Sequence, residues 1–343
     1  MTNETKMMMR VVAALFLLAS SLCVSSFAQA PLAPQSKPMS SHAPFEAGDC
    51  KICHQNADPK NPGPVAATGV ALCSGCHEDF TAIMARPHVH RVARKNCMSC
   101  HNPHNAKNPK LLTEEASLTC TKECHDDIGK AADAAKVKHK AVFAGAKCTG
   151  CHNPHASSVA KLLVAQPSEL CLSCHNVDTL VGVDGKKLQN TKSWLAKNPD
   201  WHAPVQSKDC GACHVPHGGD HFRLLKEDYP KEFYAPYNPR AYALCFSCHQ
   251  EKAYSTAKTT TLTGFRDGEL NLHFLHLQQS GRGRTCRACH EVHASTQKHH
   301  IREGVPYGAA GWVLKLNFKT TATGGSCAKT CHQEKAYSNK TPG

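Results

Sequence analysis

Aromatic side chains are scarce in this 343-residue chain: 11 Phe, 7 Tyr and 3 Trp, 6% of the total. That leaves little bulk from which to build a core, and the 41% hydrophobic fraction includes 21 cysteines. Long apolar runs are missing beyond the first twenty residues, so no later segment is suited to cross a bilayer as a helix. Acidic residues are the minority charge, 27 against 40 Lys and Arg, for a formal net charge of +13. The basic residues are dispersed and no aromatic platform accompanies them, which argues against nucleic acid as a partner.

Cysteine and histidine are what the chain has in excess, 21 and 24 residues. The stretch Cys148-Thr149-Gly150-Cys151-His152-Asn153-Pro154-His155 shows why. Two cysteines three apart, followed at once by histidine, form the attachment signature of c-type haem. The cysteines bond the two vinyl groups and the histidine becomes the proximal iron ligand. The signature recurs at Cys50/Cys53/His54, Cys73/Cys76/His77, Cys97/Cys100/His101, Cys171/Cys174/His175, Cys210/Cys213/His214, Cys245/Cys248/His249 and Cys286/Cys289/His290. Two copies carry one extra residue, Cys120/Cys124/His125 and Cys327/Cys331/His332. Ten sites account for twenty cysteines, and the last, Cys23, lies near the N-terminus. Structural zinc or a disulfide framework would not place a histidine after every second cysteine. The expected cofactor is therefore ten covalently attached haem c groups, whose macrocycles supply the missing apolar surface and whose propionates offset part of the basic charge.

Residues 1–30 read as a secretory signal peptide: Lys6 and Arg10, an apolar run from Val11 to Leu18, and a small-residue cleavage site at Ala28-Gln29-Ala30. Leu22 before Cys23 is a poor fit to a lipoprotein anchor. The mature chain, 31–343, is expected to be exported, to the periplasm or the periplasmic side of the outer membrane, with an extracellular location as the alternative.

The sites come in five pairs, giving approximate two-haem units at 42–87, 88–138, 139–201, 202–272 and 273–343. The first cysteines of a pair are 23 residues apart in the first three units, and further apart in the last two. In four units a histidine follows three residues after the first motif histidine: His104, His155, His217 and His293. Pro154 steers Asn153 away from helix, so His155 should point away from its own haem and ligate a neighbour. Each pair is also preceded by histidine: His42, His88 or His90, His139, His202, and His276 or, further off, His273. Ten irons need ten distal ligands, and nine come from these two series. Because the first pair lacks a third-position histidine, both His88 and His90 are counted, completing a distal set of His42, His88, His90, His104, His139, His155, His202, His217, His276 and His293. His221, His299 and His300 read as surface residues.

Through the HNPH…LL…CxxCH pattern over most of 42–335, the chain resembles the paired-CXXCH multihaem cytochrome c family, and within it the periplasmic decahaem electron conduits of the MtrA/DmsE type. The resemblance implies a haem wire with bis-histidine irons, exchanging electrons with redox-protein donors and acceptors, an outer-membrane porin and an extracellular cytochrome among them. The fold expected is a multihaem cytochrome c: mostly loops and short α-helices wrapped around a chain of haems, very little β, five two-haem repeats, elongated. The stretch 176–201 should articulate the first three units against the last two. Two histidines per iron close both axial positions, which suits electron transfer rather than catalysis. Competing readings are a multihaem reductase of a small nitrogen or sulfur oxyanion, with its open iron in the irregular fifth unit near His299-His300, and a filament-forming extracellular cytochrome.

Overall fold

A computed structural model describes residues 39–308, 311–327 and 331–340; the expected signal peptide, Cys23 and the expected cleavage point near Ala30 lie outside them. The helices are short, the longest being Asp126–Ala134 at nine residues. Helices of this length do not hold in water by themselves, so their order depends on what they pack against. The protein interior offers little for them. Among the described residues the buried hydrophobic side chains number eleven, and seven of these are alanines.

A tight loop recurs in all five units after the first motif histidine. The next residue donates its N–H to a carbonyl nine positions further on, as in Asn102 to Leu111 (2.7 Å), Asn153 to Leu162 (2.8 Å) and Glu291 to His300 (2.7 Å). Isolated bridges pin the same loops: His54 to Val65, His101 to Leu112, His152 to Leu163, His214 to Leu225 and His290 to Ile301. At the loop tip, two successive residues take the left-handed conformation, for example Lys161 and Leu162, both at φ 58°. That is the signature of a type I′ turn, costing about 1–2 kcal/mol for each non-glycine residue. The first unit uses Gly63 (φ 71°) at the equivalent place.

Consecutive units are laced together by two-residue antiparallel ladders. Ser40–Ser41 pairs with Asn105–Ala106, His88–Val89 with Ala156–Ser157, Val137–Lys138 with Gly218–Gly219, and Asp200–Trp201 with Ala294–Ser295. Each ladder joins the segment before one unit's upstream histidine to the segment after the next unit's third-position histidine.

Strand content is low until residue 304, as expected. The last unit departs from that: Gly304–Tyr307 and Trp312–Lys315 form a hairpin, and Lys319–Thr321, Gly324–Cys327 and Lys335–Ser338 form a three-stranded sheet. The link 176–201 also differs from expectation. Its helix Thr191–Lys197 is pinned through its first half, with Lys192 N–H donating to the His175 carbonyl (3.1 Å) and the Trp194 indole to the Ala294 carbonyl (2.9 Å). Leu195 is buried. The segment is a strap tying the third unit to the fifth, through the Trp194 indole and the ladder of Asp200–Trp201 with Ala294–Ser295, while the Trp201 indole donates back to the Leu195 carbonyl (3.1 Å).

Candidate haem-binding sites

Two kinds of turn present the motif cysteines. The first motif of each unit sits on a one-turn 3-10 helix: Cys50–Ile52, Cys97–Ser99, Lys147–Gly150, Cys210–Ala212 and Cys286–Ala288. The second motif of the first four units begins on an α-helix, such as Val70–Ser74 or Pro167–Cys174, whereas Cys327 ends a strand. In the eight standard motifs the histidine N–H closes onto the carbonyl of the first cysteine, at 2.8–3.1 Å. At Cys120/Cys124/His125 the extra residue is absorbed by a bond one residue longer, His125 N–H to the Cys120 carbonyl at 3.0 Å. The histidine therefore returns to the same end of the turn, and the longer motif presents the same three groups.

The expectation that the chain wraps every haem holds unevenly. Cys76, Cys124, Cys174, Cys248 and Cys331 are exposed, contrary to a fully wrapped arrangement, whereas the other fifteen motif cysteines are half-buried. All five are the second cysteine of a second motif. The reason is the loop that follows each first motif. It returns over the second cysteine, whose carbonyl accepts a backbone N–H: Cys53 from Ala66 (2.8 Å), Cys100 from Thr113 (3.0 Å), Cys151 from Val164 (3.0 Å), Cys213 from Lys226 (2.9 Å) and Cys289 from Arg302 (2.9 Å). After Cys76, Cys124, Cys248 and Cys331 no such loop returns among the described residues, and protein leaves those sulfurs uncovered.

The motif histidines do not stand alone. Each faces one non-motif imidazole with ring centres 6.0–6.5 Å apart: His54 with His104, His77 with His42, His101 with His155, His125 with His90, and His152 with His217. The series continues with His175 and His139, His214 and His293, His249 and His202, His290 and His273, and His332 and His276. An imidazole nitrogen binds a transition metal at about 2 Å, and roughly another 1 Å separates it from its ring centre, so two imidazoles on one iron stand about 6 Å apart. The spacing fits an iron between every pair, with two cysteines on the adjoining turn.

The pairs obey a rule. Every upstream histidine faces the second motif histidine of its own unit. Every third-position histidine faces the first motif histidine of the preceding unit. No CxxCH pair lies before the first unit in this sequence that would call for its missing third-position histidine. In the last unit His273, from within the unit, faces the first motif histidine His290. His88 is thereby corrected: it lies exposed on its short strand, and among the described residues no imidazole faces it in this way. His273 takes its place, one helical turn from His276 on Leu272–Leu277, so that one face of the helix serves both motifs of its unit. His221, His299 and His300 face no motif histidine so closely.

Hydrogen bonds fix the tautomers. Nδ1 of each first motif histidine meets the loop-tip carbonyl: His54 with Gly63 (3.0 Å), His101 with Lys110 (2.9 Å), His152 with Lys161 (2.8 Å), His214 with Arg223 (3.0 Å) and His290 with His299 (2.8 Å). The strained turn thus aims a carbonyl that leaves Nε2 free for metal, and such outer partners raise ligand basicity. Among the upstream histidines, His90 Nδ1 meets the Pro154 carbonyl (3.0 Å) and His139 Nδ1 that of Pro216 (2.6 Å). His299, read as a surface residue, contributes through its backbone. Burial pushes many of these imidazoles below their ordinary pKa, His293 to about 4 and His273 to about 3, and so holds them in the neutral form that binds metal.

Neighbouring motifs touch in chain order. In the unloaded chain, burial and the adjacent Cys97 and Cys53 push the Cys73 thiol up to about 11. Burial and the nearby Cys148 and Cys100 do the same at Cys120. Cys171 shares a hydrogen bond with Cys210, and Cys286 with Cys245. Within units, Cys100 lies by Cys124, Cys151 by Cys174, Cys213 by Cys248, and Cys289 by Cys327 and Cys331. Among the described residues no group of three or more His, Cys, Asp or Glu is placed to hold a bare metal ion. No helix among them is long and apolar enough to cross a membrane.

Comparison with known proteins agrees. The family model described as the doubled CXXCH motif matches four times, over residues 42–82, 90–130, 139–179 and 202–254, together just over half of the chain. The multiheme cytochrome MtrA of Shewanella baltica (strain OS185) is 28% identical over 275 residues, covering 75% of this chain and 70% of that protein. Residues beyond 254, where the strands appear, lie outside the family matches. With its cysteine turns, facing imidazoles and repeated loops, the chain belongs to the doubled CXXCH family of multihaem c-type cytochromes.

Proposed function

We propose that the protein is a decahaem electron-transfer wire of the cell envelope, built as five two-haem units in an elongated array. The ten facing histidine pairs carry this reading. Bound haem supplies a one-electron Fe(III)/Fe(II) couple. The chain's residues hold ten such groups, close both axial positions of each, and fix them in sequence. Cysteine contacts alternate within and between units, so the first motif adjoins the second, the second the third, and so on to the tenth. Ligands donated backwards across unit boundaries hold neighbours at fixed separation, which tunnelling requires. No motif is left with one imidazole, the fifth unit included, and this favours a carrier over a reductase needing an open iron. The leader and the resemblance to MtrA favour a periplasmic site, with redox proteins, and by analogy a porin and an extracellular cytochrome, as partners.

Mass spectrometry and EPR of the exported protein test the reading together. Ten haems per chain, all low-spin, are expected. Eight haems, or a high-spin fraction near one tenth, would overturn the ten-centre wire.

A further inference from the structure

The last unit places charge where the others place neutral or exposed side chains. After the first motif histidine the earlier units carry Gln55, Asn102, Asn153 and Val215, whereas the last carries Glu291. At the residue whose N–H meets the second cysteine's carbonyl they carry Ala66, Thr113, Val164 and Lys226, and the last carries Arg302. Glu291 and Arg302 pair at 3.0 Å, with side chains 7% and 13% exposed, and every other ion pair among the described residues is more open to water. Arg302 Nε–H also donates to the His290 carbonyl at 2.9 Å. The charge of Arg302 is therefore fixed in place and compensated.

A second arginine in the cluster is not compensated. Arg287 lies between Cys286 and Cys289, and its backbone N–H donates to the Tyr229 hydroxyl. Among the described residues no carboxylate pairs with it. Its Nε is buried without a hydrogen-bond partner, and so is Nδ1 of His293. Both are donors once His293 turns Nε2 to metal, and unmet buried donors are rare enough to call for a reason. Arg287 and Arg302 both bear on His293, and burial depresses the pKa of that imidazole and of His214, which it faces.

Each of these features favours the reduced state of a haem held between His214 and His293. Ferric haem carries one positive charge more than ferrous haem, so burial and a nearby unpaired cation both disfavour it. The outer acceptor that strengthens a histidine ligand is present on His214, at the Arg223 carbonyl, and missing from His293. His290 and His273, whose pKa values burial also lowers, differ on this point. Nδ1 of His290 meets the His299 carbonyl at 2.8 Å, and Nδ1 of His273 the Thr263 hydroxyl at 3.2 Å. We propose that the centre of Cys210, Cys213, His214 and His293 is the most easily reduced of the ten, poised by Arg287 and the bare Nδ1 of His293, and that it stores one electron in the fourth unit. Its Fe(III) takes an electron delivered along the wire from a redox-protein donor and becomes Fe(II), with no bond made or broken. The proposal rests on the ten-centre reading above.

Potentiometric titration of the full haem-loaded protein, followed by haem absorbance and EPR, tests it. In the wild type the first of the ten electrons should enter at a potential set apart above the rest. Arg287→Gln should lower that step until it merges with the others, and Arg287→Lys, which keeps the charge, should hold it in place. Lys51→Gln, at the equivalent position of the first unit but exposed, should leave it unmoved. His293→Met should raise the same step further, since methionine/histidine ligation raises the potential. A step left at the wild-type potential in that variant would put the most easily reduced centre elsewhere and overturn the proposal. So would an unmoved first step in Arg287→Gln, equal lowering by Lys51→Gln, or equal lowering by Arg287→Gln and Arg287→Lys, which would give Arg287 a packing role alone. Haem count and spin state keep the two claims apart: ten low-spin haems with an unmoved first step remove the stored electron and leave the wire.

Discussion

Residues 42–189 contain three aromatic side chains, Phe45, Phe80 and Phe143, while residues 190–340 contain all three tryptophans, all seven tyrosines and six phenylalanines. The packing follows. In the first stretch the buried residues are Ala93, Ala106, Ala132, Ala135, Ala156 and Ser157, which fill space between crossing backbones and little more. In the second, Tyr242 and Asn271 are wholly buried, and Leu195, Leu277 and Val305 join them inside. Tyr242 packs against Tyr229, Tyr237 and Phe246 at about 6 Å. Tyr229 accepts the Arg287 N–H at 2.8 Å, and Arg302 pairs with the buried Glu291 at 3.0 Å. One half leans on its cofactors for a core. The other adds a core of protein.

That difference can be broken most visibly by removing one haem from each half. Cys97→Ala/Cys100→Ala should open the chain around that site to limited proteolysis, since the buried protein side chains beside it are almost all alanine. Cys245→Ala/Cys248→Ala should leave most of 190–340 resistant. Equal sensitivity would mean that the aromatic core contributes no independent stability. A smaller effect is expected from Tyr242→Ala, about 3–5 kcal/mol for deleting a large buried ring, read as a lower thermal midpoint with the haem count unchanged. A cost below about 1 kcal/mol would show that haem holds both halves alike.

Acid should sharpen the contrast. His273 and His293, both in the second half, have pKa values pushed by burial to about 3 and about 4, against about 6.5 in the unfolded chain. A depressed pKa means that the unfolded state takes up protons first. The stabilisation from these imidazoles is present above about pH 6.5 and is lost as pH falls towards 4 and then 3. Low-spin absorbance of the centres at His214 and His290 should therefore persist to those values. Loss of both near pH 6 would contradict the burial argument.

The arrangement of each motif was legible because it is local: two cysteines at this spacing and an adjacent histidine need no tertiary context to share one turn. The offset of His155 from His152 was legible too, and Asn153 Oδ1 accepting the His155 N–H at 3.0 Å turns that residue off its own site. The tenth imidazole was not. The count assigned the shortfall to the first pair and so to His88, whereas the third-position imidazoles face motif histidines of the preceding unit and the unit that needs an extra imidazole is the last, where His273 faces His290. The exposure of Cys124, Cys248 and Cys331, with Cys76 and Cys174, was equally hidden. Spacing makes the eight standard motifs look alike, and only the folded return loops separate covered sulfurs from open ones. The left-handed turns at Lys110-Leu111, Lys161-Leu162 and Arg223-Leu224 were invisible for another reason. No glycine marks them, and the strain is offset only once the loop carbonyl meets a motif histidine. The strands after residue 304 and the docked strap at 176–201 depend on aromatic contacts between distant units, which no local pattern encodes.

The backward passing of ligands is the central claim, and His155 is its cleanest instance. A density map of the haem-loaded protein at a resolution that places side chains would decide it. The expected result is His155 Nε2 at about 2 Å from the iron of the haem bound to Cys97 and Cys100, opposite His101. His155 on the haem of Cys148 and Cys151, or a water opposite His101, would contradict it.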